Sequence, residues 1–400
     1  MARQTARQNK QRAKTDGAGW EAGRIMRRPL ALASLALLLS MGIAQAAPPP
    51  LRIGLAAPLT GPDAGFGQGM QAGAEQAIAD INRGGGVNGQ KLQLVVQDDA
   101  GDPKQGAVVA KTFAADGVML VIGHLNSGVS AVALPIYEEA GIIAVTPGAT
   151  WAPLTARGAW NLFRLCGSDA QQGQVAGDWL AERYPGKPVA IINDKSSFGR
   201  GLADEVARVL KTRGGREALF EGISRGDREF SGLVARMKGA KVDAVYFGGA
   251  STEAAFLVRA LRDAGFNGRF VGSDGILDKD FEKLAGSGAE GTVMTLAPEP
   301  RKLPESKDRK ATPLRSPEAE MFAARTYAAV EVLKGGIEAA KSTEARRVAD
   351  SLHSGKPLRT LIGEVAFDAK GDLAKPPYGL VVWRRTPDGR IDYAGNAVSP

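Results

Sequence analysis

The chain has 400 residues, of which 44% are hydrophobic and 24% charged, which allows two domains with cores of their own and excludes a disordered or fibrous chain. Its formal net charge of +8 raises the prospect of a nucleic-acid partner. The excess is local, however: residues 1–46 hold eight Arg and Lys against Asp16 and Glu21, while the remainder carries 43 basic and 41 acidic side chains, so no nucleic acid is expected as a partner.

Residues 1–46 read as a signal peptide. Met26-Arg27-Arg28 is a basic start, residues 30–43 form an apolar run, and Ala44-Gln45-Ala46 is a small-x-small cleavage site, with Met26 the expected translation start. The run is fourteen residues long, short of the roughly twenty that span a bilayer, so export is expected over the alternative of an N-terminal anchor. No cysteine at the cleavage site offers itself for lipidation. The single Cys166 excludes an intramolecular disulfide and reads as a small core residue.

After Pro48-Pro49-Pro50, residues 51–56 predict a strand, 58–67 a Gly/Pro turn, and Met70, Ala74, Ala77, Ile78 and Ile81 the apolar face of a helix. Residues 92–96 predict a strand, and Asp102-Pro103 starts a helix that continues through 108–115. The stretch 118–150 then predicts a strand (118–122), a turn (123–127), a helix, a strand (142–145) and a second turn (146–150). The pattern restarts with a helix at 170–183 and runs through strand 189–192, helix 199–212, strand 218–221, helix 229–237, strand 242–247, helix 253–264 and strand 269–272. Such alternation implies an α/β protein of two doubly wound lobes, each a parallel sheet wrapped by helices. Residues 299–317 turn polar and Pro-rich and read as a surface connection. Helices at 318–340 and 344–352 and a strand at 378–384 are too little for a third lobe, so the tail is expected to return and complete the first two.

The means for catalysis are few, and no enzyme, metal or cofactor is expected. His124 and His353 are the only histidines and lie far apart, which leaves neither a His metal cluster nor a Ser-His-Asp set; His124 reads as a structural residue beside a site. Gly65-Phe66-Gly67-Gln68-Gly69 lacks the spacing of a nucleotide loop and reads as a tight turn before the helix. Asp98, Asp99 and Asp102 read as a strand-end turn with Asp102 as helix cap, no calcium-loop spacing following. What recurs is a polar or aromatic residue just past a strand end: Phe66, Ser127, Gly148 and Thr150 in the first lobe, Phe198, Ala250-Ser251 and Asp274 in the second. In parallel α/β sheets ligands bind at such turns, where helix N-termini present unpaired N–H groups.

Several of these stretches carry a family resemblance. GAEQAIADIN, QDDAGDPKQ, VIGHLNSG, VTPGAT followed by LTARG, NDKSSFGRGLA, VYFGG and KGDL closely resemble the leucine/isoleucine/valine-binding proteins, over residues 51–396. These are periplasmic receptors of branched-chain amino-acid ABC transporters, with the type I periplasmic-binding-protein fold. The resemblance implies two lobes joined by a three-segment hinge, the first formed by 51–168 plus 299–376 and the second by 169–298 plus 377–396. It implies a periplasmic monomer, without cofactor, that closes on an amino acid and delivers it to a membrane permease.

Carried over by position, Ser127 and Thr150 bind the α-carboxylate together with backbone N–H groups, Gly148 gives its carbonyl to the α-ammonium, and Asp274 pairs with that ammonium; Ala149 enters the site with them. Three lining positions that are tyrosine in the family member compared are Phe66, Phe198 and Ala250 here, which removes a polar contact at Phe198 and opens volume at Ala250. A bulkier, aromatic amino acid therefore becomes possible beside leucine. The relative's paired cysteines correspond to Gly101 and Asn126, and residues 299–317 lack the helical pattern implied there. Two other readings stay open: a sensor of a small amide, urea or aromatic acid, and an α/β enzyme whose nucleophile, metal site or nucleotide loop has not been found.

Overall fold

The computed structural model describes residues 48–297, 302–305, 314, 316–374, 378–394 and 396–398. The expected signal peptide, most of the 299–317 connection and the expected lobe boundaries near 298 and 376 lie outside them. Strand β1 (Leu51–Ala57) sits between β2 (Leu92–Asp98) and β3 (Leu120–Ile122), and β4 (Ile143–Thr146) and β5 (Leu162–Arg164) continue the sheet, every pair parallel, in the order 2-1-3-4-5. The second sheet repeats that order: β6 (Val189–Asn193) lies between β7 (Glu217–Gly222) and β8 (Ala244–Gly248), followed by β9 (Arg269–Gly272) and β10 (Val293–Leu296). A short hairpin of β11 (Leu358–Thr360) and β12 (Gly363–Val365) precedes β13 (Gly379–Val382), which closes the second sheet antiparallel to β10.

Both faces of each sheet are covered, which is why the strands read as unbroken apolar runs and not as alternating ones. In β1, Ile53, Leu55 and Ala57 join one core while Ala56 faces another; in β6, Ala190 and Ile192 face one core and Val189 and Ile191 the opposite one. The helices supply the complementary stripes. Helix Ser197–Thr212, for example, buries Leu202, Ala203, Val206, Val209 and Leu210 at spacings of one, three and four.

The C-terminal part of the chain is divided between the sheets. Helix Pro317–Ala340 packs on helix Ala64–Arg83, and its Ala328, Val332 and Leu333 enter the core beneath β1, together with Val348 and Leu352 of helix Ala345–His353. The approach is close: a Cβ at Gly69 would run into Ala319 O, and one at Gly73 into Ala323 O. This corrects the reading of residues 65–69 as a turn, since they lie inside helix Ala64–Arg83. The glycines are there for backbone contact, Gly67 with Pro58 and Gly69 with Ala319, and that packing outweighs a helix-propensity cost of about 1 kcal/mol per glycine. Strands β5 and β10 are three and four residues long and buried throughout, too short to show a period in sequence.

In a 2-1-3-4-5 sheet the order reverses between the first and third strands, and helices diverge there to opposite faces, leaving a crevice outside the carboxyl ends. The crevices are at β1/β3 in one sheet and β6/β8 in the other.

Candidate functional site

The residues after those strands line a single cleft of about 400 Å³. On its first wall, Ser127, Gly128 and Val129 are the opening residues of helix Ser127–Glu139, whose first N–H groups have no acceptor within the helix. Ser127 Oγ accepts the backbone N–H of Trp151 (3.2 Å), tying this helix start to the turn after β4. Thr146 shapes that turn: its hydroxyl donates to His124 O (2.7 Å) and accepts from Gly148 N (3.2 Å) and Ala149 N (2.9 Å). Arg164, fully buried at the end of β5, braces the same turn from behind, with Nη1 donating to Ala149 O (3.1 Å) and Trp151 O (3.3 Å) and Nε to Asp372 (2.6 Å). Thr150 is buried, and its hydroxyl has no hydrogen-bond partner. It lines the cleft, beside the buried carboxyl of Asp169.

His124 is not on this wall. Its ring is buried between Asp99 Oδ2 (2.7 Å) and Tyr137 Oη (2.9 Å), so it anchors the turn after β3. Asp102 caps its helix by accepting from Gln105 N at 2.9 Å. Gly101 lies beside Asn126, a Cβ there falling 3.2 Å from Asn126 Oδ1, at the pair of positions where the resemblance places two cysteines.

The second wall begins at Ser196, which caps helix Ser197–Thr212 by accepting from Gly199 N (2.9 Å); Asp194 in turn accepts from Ser196 N (3.0 Å) and Oγ (2.5 Å). Phe198 stands in the first turn of that helix, and Ala250 is the residue before helix Ser251–Asp263. Asp274 opens a single helical turn after β9 and accepts from Gln172 Nε2 at 2.8 Å. Loss of water raises the pKa of its half-buried carboxyl, opposed by the Gln172 amide and the Arg325 guanidinium. A cation arriving from the cleft would favour its ionised form.

A family model described as periplasmic binding protein matches residues 50–389. The chain belongs to the periplasmic binding proteins. Leu/Ile/Val-binding protein homolog 1 of Brucella suis biovar 1 (strain 1330) is 41% identical over 342 residues, 85% of this chain and 92% of its own length. Among solved structures, the branched-chain amino acid transporter substrate binding protein LivJ from Streptococcus pneumoniae, in complex with isoleucine, superposes with a TM-score of 0.71 at 24% identity, covering 88% of this chain and 100% of that one. A solute binding protein of an ABC transporter from R. palustris, in complex with 4-hydroxybenzoate, gives 0.73 at 17% identity, covering 87% and 97%. Two such different ligands on one architecture show that the fold alone does not choose the ligand. The family is one of binding proteins and not of enzymes.

In this periplasmic binding protein the structure brings seven of the eight expected residues to the cleft: Phe66, Ser127, Gly148, Thr150, Phe198, Ala250 and Asp274. Ala149 does not line it. Its side chain is fully buried in the core with Val109 and Leu154, its N–H is taken by Thr146 and its carbonyl by Arg164. Met321 and Phe322, in contrast, line the cleft without having been expected. They come from helix Pro317–Ala340, and Phe322 meets Phe66 edge-on with ring centroids 5.4 Å apart. Nothing near them in sequence marks them as other than core. Asp63 and Arg225 approach to 3.9 Å, one from each wall. Among the described residues no helix is long and apolar enough to cross a membrane, and no three His, Cys, Asp or Glu are grouped to hold a metal ion.

Proposed function

We propose that this chain is the solute-binding component of an ABC transporter, capturing an amino acid with a branched-chain or other apolar side chain and handing it to a membrane permease. The observation that carries the reading is the complementarity of the two walls to a zwitterion. A zwitterion leaving water must have both charges met, because a buried unpaired charge costs several kcal/mol. Ser127, Thr150 and the N-terminus of helix Ser127–Glu139 suit the α-carboxylate, the helix dipole adding ~0.3 to 1 kcal/mol. The Gly148 carbonyl and the Asp274 carboxylate suit the α-ammonium. Phe66, Phe198, Phe322 and Ala250 leave an apolar remainder for the side chain. The names of the relatives, Leu/Ile/Val-binding proteins at 41% identity, support the same reading.

In this reading the lobes are 51–168 plus 299–376 and 169–298 plus 377–396, supported by helix Pro317–Ala340 packing beneath the first sheet and β13 extending the second. A ligand held by both walls favours the closed arrangement by its greater affinity for it, and closure is what the permease recognises. In this reading the protein works as a periplasmic monomer, with residues 1–46 directing its export. A thermal-shift panel of amino acids, small amides and aromatic acids tests the proposal, bound ligand raising apparent stability as RT ln(1 + [L]/Kd). The largest shift is expected with an aliphatic amino acid. A shift only with a compound lacking an α-amino group would favour the sensor reading and leave Asp274 without a partner.

A further inference from the structure

Two glutamines stand side by side near the start of helix Asp169–Arg183, the first helix after β5, and their amides go to different places. Gln171 turns back on its own helix, where Oε1 accepts the Ser168 N–H at 2.8 Å, the reach of a capping box. Gln172 is fully buried and reaches the second wall of the cleft. Its Nε2 donates to Asp274 Oδ1 at 2.8 Å and to Thr295 Oγ1, in β10, also at 2.8 Å. A primary amide has two N–H groups, and both are used here. Its Oε1 has no partner. Turning the amide over would set that oxygen against a carboxylate and strand two N–H groups in place of one carbonyl, so the donors belong where they are.

Asp274 needs such a hold. It opens a single helical turn, Asp274–Ile276, and among the described residues no other side chain hydrogen-bonds to its carboxylate. Thr295 is a firm base for the contact, being fully buried in a strand paired on both edges, with β9 and β13. The line Thr295–Gln172–Asp274 therefore runs from the second sheet to the cleft, and it leaves Oδ2 as the oxygen without a side-chain partner. We propose that Gln172 is a positioning residue that pins Oδ1 of Asp274, so that the carboxylate presents Oδ2 to the ligand's ammonium. The inference rests on the reading of Asp274 as the ammonium's partner. A neighbour that can only donate also favours the ionised carboxylate, against the loss of water. The other ionisable groups around Asp274 are the Arg325 guanidinium from helix Pro317–Ala340, the Asp169 carboxyl on the helix of Gln172, the Cys166 thiol, and the hydroxyls of Tyr246 in β8 and Tyr378 before β13. On helix Ser251–Asp263, packed against the same turn, the buried Glu253 is held by Gly226 N at 2.8 Å.

The test is calorimetric titration with leucine from pH 5.5 to 8, using the wild-type protein, Gln172→Met, Thr295→Val, and Asp274→Asn with and without Gln172→Met. Methionine keeps the length of glutamine and donates nothing. Gln172→Met is expected to weaken binding about tenfold at pH 8, as the loss of a hydrogen bond to a charged group does. The gap should widen by about threefold or more toward pH 5.5, because a carboxylate without its donor takes up a proton at higher pH. In the Asp274→Asn background the same replacement should change affinity by less than about twofold and without a pH trend, since the partner it positions is gone. Thr295→Val removes only the second acceptor of Gln172 and should cost about threefold, a readout that stands where Gln172→Met fails to fold. Unchanged leucine affinity in Gln172→Met, or in Thr295→Val where the first does not fold, overturns the inference while leaving the amino-acid reading intact. So does a ratio flat with pH, or a loss of equal size in the Asp274→Asn background. Wild-type protein that binds no amino acid overturns both.

Discussion

The two walls of the cleft follow the switch points of two sheets with the same strand order, yet they are built from different materials. The first is mostly backbone and hydroxyl: helix Ser127–Glu139 supplies N–H groups, and Thr146, Arg164 and Ser127 lock the turn after β4 into one shape. The second is mostly side chain, with a carboxylate at Asp274, a ring at Phe198 and an open place at Ala250. On the proposed reading the backbone wall meets what every amino acid has, the α-carboxylate, and its shape is fixed by hydrogen bonds within the protein. A side-chain wall decides sign of charge and size, and single substitutions can retune it.

The largest effect is therefore expected on the second wall. Asp274→Ala should weaken amino-acid binding by about a hundredfold or more in calorimetric titration, since breaking a buried ion pair costs about 3–5 kcal/mol. Undiminished affinity would leave the second wall without its role. Asp169 predicts a stability effect of known sign. Its folded pKa of about 8 lies above the ordinary 3.8, so the native state holds the extra proton and stability falls as pH rises from about 4 to 8. Relative to Asp169→Asn, the wild-type protein should lose a few kcal/mol across that window, read as a growing gap in melting temperature; a constant gap would mean that the carboxyl titrates normally.

Smaller effects sharpen the contrast. Thr146→Val removes the acceptor for Gly148 N and Ala149 N and should cost about 1–3 kcal/mol of unfolding free energy in urea, with binding weakened through a loosened first wall. Ala250→Tyr should reduce affinity for aromatic amino acids while sparing smaller aliphatic ones, by about tenfold in relative terms, the worth of about 1–2 kcal/mol of steric exclusion; equal losses for both would show that Ala250 does not set size. Ser127→Ala should have the smallest effect, about 0.5–1.5 kcal/mol in binding, because on the proposed reading the helix N-terminus and Thr150 still meet the carboxylate.

Much of this was legible in the chain itself. The alternation of apolar runs and amphipathic stretches named the α/β class, and the strand ends named seven residues that the cleft brings together. Where local reading went astray the cause was contact at a distance. The glycines at 65–69 look like a turn until Ala319 is laid against them, and Ala149 looks like a site residue until Thr146 and Arg164 take its backbone groups. Phe322 is one apolar residue among many on its helix, and only its edge contact with Phe66 makes it part of a wall.

What the sequence determined alone was each element and the residue standing at its end, because strand and helix periods and caps are set by neighbours a few positions apart. What only the tertiary structure decided was opposition: which residues face each other across the cleft, and that Asp169 and Thr150 lie buried together. Those facts depend on the order of strands in two sheets and on a tail that returns to both, and no local pattern records them. They also govern charge, since a carboxyl's pKa follows its burial and its neighbours in space.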